Sequence, residues 1–384
     1  MKHRQGKRLS RDEITRTVLS LNEFELAHMF ANFSREALID VFQGLTPQDA
    51  KRIIAQVPPE LTVPFLASLD PKEAERILGP PNPALEADLR EAVDGLDFAS
   101  VEELNATLSS HFAKKNAQPL EAFCGLSPEQ MRYVLERPFE APQIAEFVDP
   151  LAVDPDSPAT LLFSMLVKAI GAEGLKPTAK GNLPIAVCME AQAKMNAGFP
   201  SLRYLNDRRP RSEEDVPELH MLHQAARVGG FVRTVRGRIV LGSEARRLLE
   251  LDGLRAIYPA LMRSFAERFN WGFMDGYPEF PFLQQSFLFP LYLLHLHGGD
   301  WQTEGFYRDL FVRAFPTVLD GIEPDSYRTP VETVDQILTW RVFVHFFRFF
   351  GLVDMEYIPG PNFRGHYRIR SLPLFREVVR WKVG

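Results

Sequence analysis

The sequence predicts a mainly α-helical protein: an N-terminal short-helix solenoid, a helical bridge, and two winged-helix-like units with small β-hairpin wings. Three observations predict it. A twelve-residue phrase recurs six times without a gap from Leu9 to Pro80. A Pro/Asp-rich connector, VDPLAVDPDSPA from Val148 to Ala159, then marks a domain boundary. Beyond it, an order of three helices and a hairpin occurs twice, over residues 157–252 and 282–384. The remaining segments fall at 1–82 for the solenoid, 83–150 for the bridge and 253–281 for a linking helix.

The six units read LSRDEITRTVLS, LNEFELAHMFAN, FSREALIDVFQG, LTPQDAKRIIAQ, VPPELTVPFLAS and LDPKEAERILGP. Each begins on an apolar residue: Leu9, Leu21, Phe33, Leu45, Val57, Leu69. Ser10, Asn22, Ser34, Thr46 and Asp70 follow, side chains that accept from the free amides of a first helical turn. Pro47, Pro59 and Pro71 come next, at the first helical position, where no donor is lost. Each unit is thus a helix of about two turns, too short to stand alone in water. Neighbours stacked on a shared apolar face supply the missing burial. This stretch resembles the helical N-terminal domain of MgtE-type magnesium transporters and, more loosely, the flagellar motor switch protein. The resemblance implies a helical fold, and a solenoid commonly presents a surface to another protein.

Along the bridge, LSPEQMRYVLERPF starts a helix with Ser127 as cap and Pro128 just inside it. The first three-helix copy is ATLLFSMLVKAIGAEG, LPIAVCMEAQAKM and VPELHMLHQAARVGG, with LKPT as an extended piece between the first two. FVRTVRGRIVL follows, a hairpin turning at Arg236-Gly237. In the linking helix, Leu254, Ile257, Tyr258, Leu261, Phe265 and Phe269 keep helical spacing. The second copy has QQSFLFPLYLLHLH, TEGFYRDLFVRAF and VETVDQILTWRVFVHFFRFFG, then the longer wing LVDMEYIPGPNFRGHYRIR. Gly230 and Gly351 stand where each third helix turns into strand and suit a helix C-terminal cap. FCGLSPEQM, GLKPTAKGNLP and FNWGFMDG resemble recurring motifs of an uncharacterised bacterial family over residues 120–384, a resemblance that implies the helical plus winged-helix layout and carries no catalytic residue.

Composition bounds the function. At 384 residues with 45% hydrophobic and 24% charged residues, the chain has the makings of two or three soluble domains. Its most apolar stretches are too short to cross a bilayer, which takes about 20 residues, and the basic start has no apolar run behind it; no membrane is expected, and a cytoplasmic location is. Cys124 and Cys188 alone make neither a disulfide framework nor a zinc module. Residues 201–384 carry 24 Lys plus Arg against 22 Asp plus Glu, 23 of the former being arginine, whereas residues 1–200 carry 20 against 28.

That arginine bias favours phosphate or base-edge recognition. The expected footprint on duplex DNA is Arg227, Arg233, Arg236 and Arg238 from the first copy and Arg348, Arg364, His366, Arg368 and Arg370 from the second. Against it, the first third helix shows Glu218, His220 and Gln224, and its counterpart is mostly aromatic and reads as buried. The histidine pairs His220/His223 and His295/His297 lack a completing carboxylate pattern and read as packing or surface residues, so no metal is expected. Cys124 reads as a small buried residue, the SEEDVPE run as a solvated loop, and the segment from Phe280 to Phe289 as core. GLKPTAKGN lacks phosphate-loop spacing and no nucleophile elbow occurs, so no cofactor and no catalytic residue is expected. The expected role is a non-enzymatic adaptor that binds duplex DNA through its tandem units and a protein partner through the solenoid. The alternative is a protein-only scaffold, and an enzyme assembled from distant segments ranks third.

Overall fold

The computed structural model describes residues 18–19, 21, 23–57, 59–79, 110–199, 209–322, 328–360 and 365–384, which are mainly helical with small antiparallel sheets. The chain divides into two compact units, Met1–Ala113 and Lys114–Gly384.

In the first unit the helices α1 (Glu23–Asn32), α2 (Arg35–Phe42), α3 (Pro47–Gln56), α4 (Pro59–Ser68) and α5 (Pro71–Leu78) begin at twelve-residue intervals. Ser34, Thr46 and Asp70 accept from the amides of Ala37, Asp49 and Glu73, and Glu73 returns a bond to the Asp70 amide. Pro47, Pro59 and Pro71 open their helices as the spacing requires; Ser10 and Asn22 lie outside the described residues. The rings of Phe30, Phe42 and Phe65 meet with centroids 5.4–5.7 Å apart, and Ile53 and Ile77 are buried in the same core. Arg35 of α2 bonds the Ser68 carbonyl at the end of α4 and the Glu73 carboxylate of α5.

The second unit starts with α6 (Pro128–Glu136), whose Ser127 makes a reciprocal cap with Gln130. Strand β1 (Ala145–Phe147) pairs antiparallel with β7 (Val379–Trp381), so the segment before the connector is laced to the far end of the chain. Then come α7 (Pro158–Ile170), α8 (Ile185–Gly198), α9 (Pro217–Val228) and the hairpin β2 (Val232–Val235) and β3 (Arg238–Leu241). The hairpin turns on Arg236 (φ 49°) and Gly237 (φ 73°), two consecutive left-handed residues whose twist matches the strands. Leu175, between α7 and α8, bridges Ile239 of β3. After α10 (Ser243–Asp252) and α11 (Leu254–Glu267), the order returns. Following α12 (Pro281–Gln285), it runs α13 (Leu288–His297), β4 (Gln302–Thr303), α14 (Glu304–Ala314), α15 (Pro330–Ile337), β5 (Val353–Ile358) and β6 (His366–Ser371), before α16 (Pro373–Val378) leads into β7. Helix α15 continues in π-helical form from Leu338 to Arg348. Here β4 pairs with β6, as Leu175 does with β3: in both halves the piece before the second helix adds to the hairpin's last strand.

One core holds this unit. Helix α11 carries Pro259, which cannot donate to the Arg255 carbonyl; the Leu151 amide does so instead, at 3.1 Å. Its buried face reaches the second half, where the Tyr258 hydroxyl donates to the Phe350 carbonyl at 2.6 Å and the Phe265 ring lies 5.5 Å from Phe346 and 5.4 Å from Phe350. The described part of the expected bridge adds Leu126, Met131, Val134, Ala141 and Ile144 to this core.

Both third helices end alike. The amides of Phe231 and Leu352 bond back to the carbonyls of Ala226 and Phe347, with Gly230 and Gly351 left-handed at φ 75° and 71°. The surroundings differ: a Cβ on Gly230 meets nothing within 4 Å, whereas one on Gly351 stands 2.8 Å from the Asp156 carbonyl and 2.9 Å from Ser157 Cβ. Gly230→Ala is therefore expected to destabilise by about 1–2 kcal/mol, the left-handed penalty alone. Gly351→Ala is expected to lose roughly 1–3 kcal/mol more from the clash. Urea unfolding of the two variants measures the difference, and equal losses would contradict the shared-core packing around Gly351.

Candidate nucleic-acid interface

The first hairpin presents Arg233 and Arg236 to solvent, and neither has an acidic partner among the described residues. Arg227 is exposed at the end of α9 and makes one long bond, 3.4 Å, to Gln224. Arg238 is committed elsewhere: its guanidinium donates to the Glu173 and Gly174 carbonyls at 2.7 Å, tying the hairpin to the turn after α7.

On the second hairpin the register sets Arg370 opposite Asp354 and Arg368 opposite Glu356. The pairs close at 3.1 and 2.5 Å, and both guanidinium groups lie over the Trp301 ring, at 4.5 and 5.3 Å. Cross-strand pairing of this kind steadies a sheet while cancelling most of the charge a phosphate would feel. Arg348 is half-buried and has interactions of its own. His366 is exposed at the start of β6, and Arg364 lies outside the described residues.

The third helices differ from an open recognition surface. Leu219, Met221, Leu222, His223, Ala225 and Ala226 of α9 are buried. His220, on its half-open side, packs against Phe273 with ring centroids 5.6 Å apart. In the second half Val342, Phe343, Phe346, Phe347 and Phe350 are wholly inside the core, as the aromatic composition implied.

The histidines meet an acid that the sequence disguised. Glu213, read from SEEDVPE as part of a solvated loop, is 1% exposed. Its Oε1 lies 2.9 Å from Nδ1 of both His220 and His223, and its Oε2 accepts the Leu183 amide at 2.5 Å. Burial pushes the carboxyl upward, but the bonds from His223, Leu183 and His220 outweigh it and hold the group below its ordinary value. The reason the run misled is local: Glu214 and Asp215, the next two residues, are exposed, and the 3₁₀ turn Glu213–Asp215 folds one acid of three inward. His295 instead stacks on Trp381 and His297 meets the edge of Phe306. Among the described residues no group of three or more His, Cys, Asp or Glu is arranged to hold a metal. Burial raises both thiols, Cys188 to about 11 with Glu213 adding to it, so neither is primed as a nucleophile.

Another carboxylate absent from the expected set is Glu304, at the start of α14. It accepts the Tyr367 amide of β6, and burial pushes its pKa to about 7. No family model, no curated protein and no solved structure matches this chain.

Glu213→Ala would leave the Leu183 amide and two imidazoles without their acceptor, so a loss of roughly 3 kcal/mol or more is expected. Glu214→Ala, on the exposed neighbour, should stay within about 0.5 kcal/mol; chemical denaturation compares them. Glu304 gives a pH signature. With its folded pKa raised from 4.5 to about 7, its favourable contribution is full below 4.5 and is lost as pH climbs through 7. Glu304→Gln keeps the acceptor without the charge, and is expected to raise the melting temperature of the second unit by roughly 2–4 °C at about pH 8, and not at acid pH. Calorimetry at the two pH values checks it.

Proposed function

We propose that this chain is a non-enzymatic protein-interaction scaffold, built from an N-terminal short-helix solenoid and two winged-helix units fused through a common core. The observation that carries the reading is the burial of the third helix in the second half, where Phe343, Phe346 and Phe347 are fully covered. A helix that fills a core has no face to lay in a major groove. The first third helix is half-covered by Phe273 and by its own bonds to Glu213. The cross-strand acids on the second hairpin remove two more of the charges a DNA footprint needs. For the solenoid, the even twelve-residue stepping of α1 to α5 supports a repeated outer surface, and Phe33 is 49% exposed on it.

A second reading has one observation in its favour. Arg233 and Arg236 remain free on the first hairpin, where two phosphates of a duplex backbone would fit without any base being read.

Anisotropy titration of a labelled duplex at low and at physiological salt separates the two. The scaffold reading expects only weak binding, in the non-specific range of about 10⁻⁴–10⁻⁶ M at physiological salt. Arg233→Ala with Arg236→Ala is expected to lower the salt slope by at most about 1.8. A specific affinity of 10⁻⁸ M or tighter, roughly the range of sequence readers, would overturn it. In-cell amine crosslinking is expected to link the exposed Lys51 and Lys72 of the first unit to another protein.

A further inference from the structure

The motif FNWGFMDG, from Phe269 to Gly276, belongs to neither hairpin. It forms the 3₁₀ turn Trp271–Met274 after α11 and borders a cleft of about 260 Å³. Phe269, Trp271, Phe280 and Pro281 supply its apolar wall. Arg341, from the π-helical stretch, also lines it and is 2% exposed.

A buried arginine demands a reason, because stripping a guanidinium of water is costly unless its donors are met. Most are met here. Nε and Nη2 each bond one oxygen of Asp275 at 2.7 Å, and Nη2 also reaches the carbonyls of Tyr277 and Pro278 at 3.3 and 3.0 Å. That fixes the plane of the group. Nη1, with two N–H donors, has no partner among the described residues, and it is not among the sealed, unpartnered atoms either. Its remaining opening is the cleft that Arg341 lines.

The opposite polarity is provided by Gln284. Its Nε2 gives its hydrogens to the Ala266 and Phe269 carbonyls at 2.8 and 2.9 Å, which leaves Oε1 as an acceptor in the same cleft. At the rim, Arg268 and Glu279 are both exposed. The rim charges offset each other, so selection falls to the unpaired Nη1 donors, which a carboxylate oxygen accepts more strongly than a neutral carbonyl does. Gly272 keeps the space open: a Cβ there would stand 3.3 Å from Nη2 of Arg341 and from Oδ1 of Asn270. The volume is below the range of about 300–1,000 Å³ for drug-sized ligands, which limits the occupant to about one ring.

From these groups we propose that the cleft beside Trp271 binds a small planar carboxylate, one carboxylate oxygen on Arg341 Nη1, the ring against Trp271 and Phe280, and a ring hydroxyl or amine donating to Gln284 Oε1. The site is a binding site only; nothing in it is poised to react.

The indole N–H resonances of the full-length protein report on it, because the chain has four tryptophans and only Trp271 lines the cleft. Titration with benzoate and the three hydroxybenzoate isomers is expected to move the Trp271 signal saturably and leave Trp301, Trp340 and Trp381 in place. At least one hydroxybenzoate should bind more tightly than benzoate, and the neutral hydroxybenzamides at least tenfold more weakly, the loss of a charge-assisted bond. Arg268→Ala, an exposed change that leaves the fold alone, is expected to weaken binding by up to about fivefold. Gly272→Leu, which fills the cleft, should abolish it, with the other three indole signals certifying the fold. The proposal fails if no isomer moves Trp271 at about 10 mM, where a millimolar site is filled. It fails equally if the amides match the acids, or if Gly272→Leu leaves the titration unchanged.

Discussion

The second unit depends on the packing of helix α11 against the aromatic stretch made of the π-helical segment Leu338–Arg348 and the turn at Phe349 and Phe350. Phe265 stacks on Phe346, Tyr258 closes on Phe350 by both ring contact and hydroxyl, and Trp271 leans on Phe346 from the following turn. Each of these side chains is fully or almost fully buried. A large aromatic removes ~150–250 Å² from water on burial, so this seam is where the two halves become inseparable. The strand pair of Ala145–Phe147 with Val379–Trp381 closes the same unit from its two ends.

That seam has a consequence for function. A helix can either line a core or offer a face to a groove, and Val342, Phe343, Phe346, Phe347 and Phe350 line the core. The hairpins escape it. They diverge because of what stands across each strand: carboxylates at 354 and 356 answer Arg370 and Arg368, whereas the partners of Arg233 and Arg238 in the first hairpin are Val240 and Val235. Charge left unanswered on one hairpin and cancelled on the other is a property of register, and register is a tertiary outcome.

Two buried ionisable groups in the unit, Glu213 and Arg341, are each held by several partners, some from distant segments. Glu213 gathers a backbone amide and two histidines, and Arg341 gathers a carboxylate and two carbonyls. Where a group keeps a free donor or acceptor beside open space, as Arg341 and Gln284 do, the arrangement exceeds what packing requires.

The sequence by itself determined the local features. Helix starts at Ser34, Thr46, Asp70 and Ser127, the prolines just inside the last three, the turn at Arg236-Gly237 and the glycine stops at 230 and 351 all rest on interactions within a few residues, which a string of letters displays directly. The burial of the second aromatic helix was legible for the same reason. Only the tertiary structure decided the rest. Glu213 lies thirty residues from Leu183, Arg341 sixty-six from Asp275, and Glu304 sixty-three from Tyr367. No spacing rule links such pairs, because what joins them is the way the chain returns to itself around a shared core. The arginines expected at the interface divide by partners that no local rule supplies: Arg368 and Arg370 are answered by acids 12 and 16 residues back across their hairpin and Arg238 by carbonyls 64 and 65 residues back, whereas Arg233 faces Val240.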